Sequence, residues 1–135
     1  QVCASRGPIF VYNITFERSR IEELAVRVPK SKKGLLALRD RLVDLLPTAR
    51  RHYYHPSQQG SWSIKPVLAA IAPDLSYDSL EGVRDGGMAM DAYREATHRD
   101  TEASRKEAIA TQLRQYCERD TLGTVRLFQY FRGDV

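Results

Sequence analysis

The chain has 135 residues, of which 42% are hydrophobic and 28% charged, and this predicts one soluble domain with a core. No apolar run is long enough to span a membrane and no signal-peptide pattern is present, so we expect a cytoplasmic protein. Cys3 and Cys117 are too few for a disulfide framework. The net charge of +4 is compatible with a DNA or RNA partner, although a mixed solvated surface explains it equally well.

The N-terminal part predicts a strand followed by a helix. Ile9–Tyr12 is apolar and rich in β-forming residues. The helix covers about residues 16–28, with Asn13 or Thr15 as its N-terminal cap, and it ends before Pro29. No second strand is predicted, and a lone strand has unpaired edges. We therefore expect its partner to come from a second copy of the chain or from a missing N-terminal segment.

The remainder of the chain predicts helices joined by loops. A loop is predicted over residues 55–62, where turn-forming residues are concentrated. The last helix carries one long apolar stripe that includes Cys117, which is therefore predicted to be a buried thiol. The predicted helical spans are about 31–43, 47–54, 64–71, 88–96 and 102–131.

Tyr116 and Asp120 stand four residues apart in this last helix, so their side chains share one helical face. A carboxylate can hold a divalent metal, and a phenol can orient a water molecule for attack on phosphorus. The simpler interpretation is a core tyrosine whose hydroxyl meets an aspartate, and the spacing alone favours it.

Glu17 offers a second carboxylate, because it follows the predicted strand at the start of a helix. Side chains at that position face the open end of a sheet, where α/β proteins place their sites. Alternatively, Glu17 simply complements the helix dipole.

Two motifs resemble those of the DEDD exonucleases. Tyr12-Asn13-x-x-Phe16-Glu17 is similar to their second motif, and Tyr116-x-x-x-Asp120 is similar to the third motif of the tyrosine subtype. Longer segments resemble a bacterial domain family of unknown function that itself looks exonuclease-like. These segments are Tyr54-His55-Pro56, Gly60-Ser61-Trp62-Ser63-Ile64-Lys65, Pro73-Asp74-Leu75-Ser76-Tyr77, Gly87-Met88-Ala89-Met90 and Tyr116-Cys117-Glu118-Arg119-Asp120-Thr121-Leu122.

The resemblance implies an α/β, ribonuclease-H-like fold and two-metal hydrolysis of phosphodiesters with Mg²⁺ or Mn²⁺. Residues 1–135 would be a single domain, the helix-rich C-terminal portion of a larger nuclease-like domain with few strands. Glu17 and Asp120 would be metal ligands, and Tyr116 would complete the catalytic set. Their carboxylates should then converge within about 8 Å.

The chain departs from the exonuclease pattern in two ways. Glu17 replaces the usual Asp, and no Asp-x-Glu first motif precedes it. Because the chain also begins with Gln1 and not Met, we expect an excised part of a longer protein, impaired as an enzyme on its own. The alternative is a non-catalytic module of the same fold that binds nucleic acid or protein.

A basic and aromatic segment suits single-stranded nucleic acid, through phosphate contacts and base stacking. A helix end with buried tyrosines and a solvated basic face is the simpler interpretation. If the sheet is truncated, we also expect a homo-oligomer that covers it. The residues assigned to nucleic-acid binding are Asn13, Arg50, Arg51, Tyr54 and Lys65.

Overall fold

The computed structural model describes residues 6–134, so Cys3 lies outside the described residues. The chain forms two compact units, one of residues 6–62 and 127–134 and the other of residues 63–126. In chain order the strands and helices are β1 (Ile9–Val11), α1 (Ile14–Arg27), α2 (Lys32–Arg39), β2 (Leu42–Asp44), α3 (Leu46–His52), α4 (Ile64–Ile71), α5 (Gly86–Thr97) and α6 (Ala103–Arg132). The fold is therefore helix-rich with a small parallel sheet, which agrees with the α/β class.

The first unit is built on a parallel pair of strands. β1 lies beside β2 with Ile9 opposite Leu42 and Val11 opposite Asp44. The connection runs through α1 and α2, which pack against each other. The expectation of a lone strand is therefore wrong, because the partner strand comes from residues 42–44 of the same chain.

Residues 42 and 43 were predicted to end the second helix because their apolar side chains match helical spacing. In the structure α2 ends at Arg39, and a turn at Asp40 and Arg41 redirects the chain. The Arg41 carbonyl accepts the N–H of Ile9 at 2.9 Å, and the Arg41 guanidinium donates to the Gly7 carbonyl at 2.8 Å. These contacts with the β1 segment favour a strand over a further helical turn.

Asp44 fixes the start of α1. Its Oδ1 accepts the backbone N–H of Asn13 at 2.9 Å and its Oδ2 accepts that of Ile14 at 3.1 Å. Oδ1 also accepts the N–H of Leu46 at the start of α3, at 2.9 Å. Asn13 stands at the cap position with φ 70° but makes no side-chain cap hydrogen bond. Asn13 is thus the N-cap residue, which was one of the two predicted alternatives, but Asp44 accepts the N–H groups at the helix start in place of the Asn13 side chain.

The core of the second unit lies between α4 and α6. Val67, Leu68 and Ile109 are buried, and Gly123 allows α6 to approach Leu68 closely. An added Cβ on Gly123 would lie 2.7 Å from Leu68 Cδ2.

The inward face of α6 differs from the predicted stripe. Cys117 is exposed, so the prediction of a buried thiol is wrong. One row of buried and half-buried positions follows a spacing of three and four residues that leaves position 117 outside. This row consists of Ile109, Leu113, Tyr116, Asp120 and Gly123.

No helix within residues 6–134 has the length and apolar character needed to cross a bilayer. The finer assignments, a ribonuclease-H-like fold and a single domain within a larger nuclease-like one, stay predictions.

Candidate functional sites

The C-terminal end of α3 presents two cations and an aromatic ring. Arg50 and Arg51 are exposed in its last turn. Tyr53 then turns inward, with its ring 5.4 Å from that of Tyr130 in an edge-on arrangement. Tyr54 turns outward and is 62% exposed. The segment therefore has one packed tyrosine and one tyrosine available to solvent, where the sequence left both possibilities open.

The loop that follows Tyr54 is braced from inside by Gln58, which is only 2% exposed. Its Oε1 accepts the N–H of His55 at 2.7 Å, and its Nε2 donates to the Ser61 carbonyl at 3.2 Å. The N–H of Ser61 donates back to the Gln58 carbonyl at 2.8 Å. A buried amide with both ends hydrogen-bonded holds the loop in one conformation.

Trp62 closes the loop beside Tyr54. The two ring centroids are 6.5 Å apart with an interplanar angle of 51°. The Tyr12 hydroxyl donates to the Trp62 carbonyl at 2.9 Å, which ties the loop to the carboxyl end of β1. Burial raises the pKa of Tyr12 to about 12, although the Arg50 charge opposes this, so the phenol keeps its proton at neutral pH. We call Arg50, Arg51, Tyr54 and Trp62 the basic–aromatic surface.

The second unit contains a group of phenols around one carboxylate. The Tyr77 hydroxyl donates to Asp120 Oδ1 at 2.5 Å, and the ring centroids of Tyr77 and Tyr116 are 6.1 Å apart. Burial first, and then the neighbouring Asp120 carboxylate, raise the pKa of Tyr116 to about 12. The same two causes raise the pKa of Tyr77 well above its ordinary value. Both phenols are therefore protonated donors at neutral pH.

Lys65 completes this group, which we call the phenol–carboxylate cluster (Lys65, Tyr77, Tyr116 and Asp120). Its Nζ lies 4.8 Å from the Tyr77 ring centroid and 5.9 Å from that of Tyr116. The ammonium also donates to the Arg84 carbonyl. Lys65 was assigned to nucleic-acid binding, but in the structure its charge is engaged by neighbours within the second unit.

The structure brings together two of the three predicted catalytic residues, Tyr116 and Asp120. Glu17 lies half-buried in the first turn of α1, in the other unit. Its expected approach to Asp120 stays a prediction. Asn13 is exposed at the start of α1, where its backbone N–H is bonded to Asp44.

Whether the cluster fits the predicted Mg²⁺ or Mn²⁺ can be judged from its donors. It offers one carboxylate, Asp120, whose Oδ1 already accepts a hydrogen bond from Tyr77. Within residues 6–134, no three His, Cys, Asp or Glu side chains form a group that could hold a metal ion. The residues of the cluster therefore do not by themselves fit a two-metal centre.

Sequence reasoning missed three residues of these sites. Tyr77 is 43 residues from Asp120, and no periodicity links them. The segment Pro73–Tyr77 was nevertheless among those that carried the family resemblance, which was the available signal. Gln58 and Trp62 fall in the span 55–62, which the sequence predicts only as a loop.

The fold and sites thus define a helix-rich α/β protein with a basic–aromatic surface in one unit and a phenol–carboxylate cluster in the other. A family model described as a domain of unknown function (DUF2779) matches residues 1–63. No curated protein and no solved structure matches the chain significantly. The match agrees with the resemblance to a domain of unknown function, and it contains the whole basic–aromatic surface. The exonuclease likeness gains no support from these comparisons.

Proposed function

We propose that this chain is a nucleic-acid-binding module that contacts the phosphates of DNA or RNA through Arg50 and Arg51. The observation that carries the proposal is that Arg50 and Arg51, in the last turn of α3, and Tyr54, two residues after the end of that helix, are all exposed. Neither arginine forms an ion pair with any residue in the range 6–134, whereas Arg39 is bridged to Glu22 and Asp40. Unpaired surface guanidinium groups are the groups that exchange counterions for phosphates.

A salt titration tests the proposal. Binding of a fluorescently labelled twelve-nucleotide single strand is followed by anisotropy between 50 and 200 mM salt. Each phosphate contact contributes about 0.7 to the slope of log K against log salt for single strands. The double variant Arg50→Ala/Arg51→Ala should therefore bind more weakly, with the slope reduced by about 1.4.

The matched control is Arg94→Ala/Arg99→Ala, which removes the same charge from the second unit. Both of these arginines are exposed, and each lies within 4 Å of an aspartate oxygen. The control should bind as the wild type does. Equal weakening by both double variants would mean that net charge alone drives binding, and would contradict a site at Arg50 and Arg51. Salt-independent binding, or none, would favour a protein-binding module instead.

Metal-dependent phosphodiester hydrolysis is the second candidate, and the proximity of Tyr116 to Asp120 favours it. Because the pKa of Tyr116 is raised to about 12, its phenol would remain a hydrogen-bond donor at the pH of the reaction. Glu17 and Asp120 would be the metal-binding carboxylates. A nuclease assay with Mn²⁺ on the longest available form of the protein tests this. Activity that survives Asp120→Asn would contradict it.

Self-association and location complete the proposal. A second copy would have to add at an outer edge of the sheet, because β1 is already paired with β2. Light scattering at high concentration that gives the mass of one chain would contradict a homo-oligomer.

A cytoplasmic location stays a prediction, which cell fractionation tests.

A further inference from the structure

We infer that Tyr54 and Trp62 stack on unpaired bases, so that the basic–aromatic surface selects single-stranded over double-stranded nucleic acid. This inference rests on the proposed nucleic-acid binding and adds to it the form of nucleic acid that is recognised. Phosphate contacts alone do not distinguish a base-paired strand from an unpaired one. Aromatic stacking does, because the faces of paired bases inside a duplex are covered by their neighbours.

The Tyr54 ring is available to a ligand. The neighbouring Tyr53 is half-buried, with its ring against that of Tyr130. Tyr54 instead remains 62% exposed. Its ring and that of Trp62 are 6.5 Å apart and inclined by 51°, so they are adjacent without covering each other face to face. The first unit thus presents the exposed ring of Tyr54, with the half-buried ring of Trp62 next to it.

The loop of residues 55–62 is held in one conformation. Gln58 is 2% exposed and holds the loop at both His55 and Ser61, while Tyr12 holds the Trp62 carbonyl. A buried glutamine that holds a surface loop in one conformation also fixes which side chains the loop exposes. A platform fixed in advance loses little side-chain and loop entropy when a base stacks on it.

The charges of Arg50 and Arg51 precede Tyr54 closely in the chain. Arg50 and Arg51 occupy the last turn of α3, immediately before the segment that carries Tyr54. Cations beside exposed rings form the usual combination of a single-strand site, in which the cations follow the backbone and the rings receive the bases. By contrast, Tyr93 is equally exposed at 62% but lies on α5 in the other unit, without this loop.

The fluorescence of Trp62 gives a direct test, because it is the only tryptophan of the chain. The complete chain is titrated at low salt with twelve-nucleotide oligothymidine, with an abasic strand of the same length and with a duplex of the same length. We expect oligothymidine to quench Trp62 and to bind about tenfold or more tightly than the abasic strand, as expected for one stacked base. The abasic strand should bind through phosphates without quenching. Oligouridine in place of oligothymidine shows whether RNA serves equally.

Variants of Tyr54 and Tyr93 test whether binding of the bases depends on the aromatic ring of Tyr54. Tyr54→Ala should reduce the affinity for oligothymidine several-fold toward that for the abasic strand, with Trp62 still able to stack, whereas Tyr54→Phe should retain it. Tyr93→Ala, which removes a ring of equal exposure, should have no effect. The comparison of oligothymidine with the abasic strand uses the unaltered chain, so it holds even if a variant folds poorly.

The outcomes distinguish this inference from the proposed function. Equal affinity for oligothymidine and the abasic strand, without quenching, would overturn stacking and leave phosphate binding standing. A higher affinity for the duplex than for oligothymidine would also overturn stacking and leave phosphate binding standing. Failure to bind any of the three probes would overturn both.

Discussion

At the scale of single residues, Asp120 and Tyr77 decide how the second unit manages a partly buried charge. A carboxylate removed from water is unfavourable unless hydrogen bonds compensate for the lost solvation. The Tyr77 hydroxyl supplies such a bond at 2.5 Å, and the burial of its ring places the hydroxyl reproducibly. The pair therefore stabilises the unit whatever else Asp120 does.

Tyr77→Phe should lower the free energy of unfolding by about 1.5–3 kcal/mol, because it removes a hydrogen bond to a charged group and keeps the ring. Urea unfolding followed by circular dichroism measures the change. Tyr93→Phe is the control, since that hydroxyl is on an exposed side chain. If the two variants were equally stable, the Tyr77 bond would be of no consequence for folding.

Local spacing explains why part of this cluster was predictable from the sequence. Tyr116 and Asp120 were placed together correctly because one helix fixes the geometry of residues four apart. Tyr77 could not be placed, because its contact depends on how the segment after α4 packs against α6. The segment that contains Tyr77 is among those that carry the family resemblance, but the resemblance assigns Tyr77 no role.

At the scale of elements, the first unit shows where periodicity misleads. β1, α1 and α3 lie within a few residues of their predicted spans, since each combines an apolar pattern with a clear end signal. β2 was missed because Leu42 and Val43 satisfy both a helical and a strand pattern. A three-residue strand is specified mainly by its partner, and the parallel pairing with β1 is a tertiary interaction.

The close approach of α6 to α4 gives a prediction for Gly123. Alanine normally stabilises a helix by about 1 kcal/mol relative to glycine. At Gly123, however, the new methyl group would lie 2.7 Å from Cδ2 of Leu68, a side chain that is 1% exposed and would have to shift within the core. Overpacking of this kind costs about 1–3 kcal/mol, so Gly123→Ala should destabilise the chain.

Gly34→Ala is the matched control, because it also lies within a helix but a Cβ there would meet no atom within 4 Å. This variant should be more stable than the wild type by about 0.5–1 kcal/mol. Chemical denaturation compares the two. If both substitutions stabilised the chain, the Leu68 side chain would be able to move away from the new methyl group at little energetic cost, which would contradict the prediction.

At the scale of the whole molecule, partly buried phenols occur in both units. Tyr12 and Tyr116 have pKa values raised to about 12, and that of Tyr77 is raised further, in each case mainly by burial. The folded state therefore retains protons that the unfolded state releases near pH 10. Stability contributed by these groups is fully present below about pH 10 and is lost as the pH rises toward 12.

Alkaline unfolding tests this expectation. The free energy of unfolding, measured at several pH values from 8 to 11.5, should fall steeply above pH 10. Tyr116→Phe should reduce the steepness between pH 10 and 12, because one of the titrating groups is gone. Tyr93→Phe should follow the wild-type profile. An unchanged profile in Tyr116→Phe would mean that this phenol titrates alike in both states.

Asp44 has a consequence for where ligands can bind on the first unit. Parallel sheets usually receive an anionic ligand at their carboxyl end, where helix N-termini direct N–H groups toward it. Here the N–H groups of Asn13, Ile14 and Leu46 already converge on the Asp44 carboxylate. The chain thus carries its own tethered anion in the position that a phosphate would occupy. Under the proposed function, a nucleic acid would therefore bind away from this edge, at the cations at the end of α3.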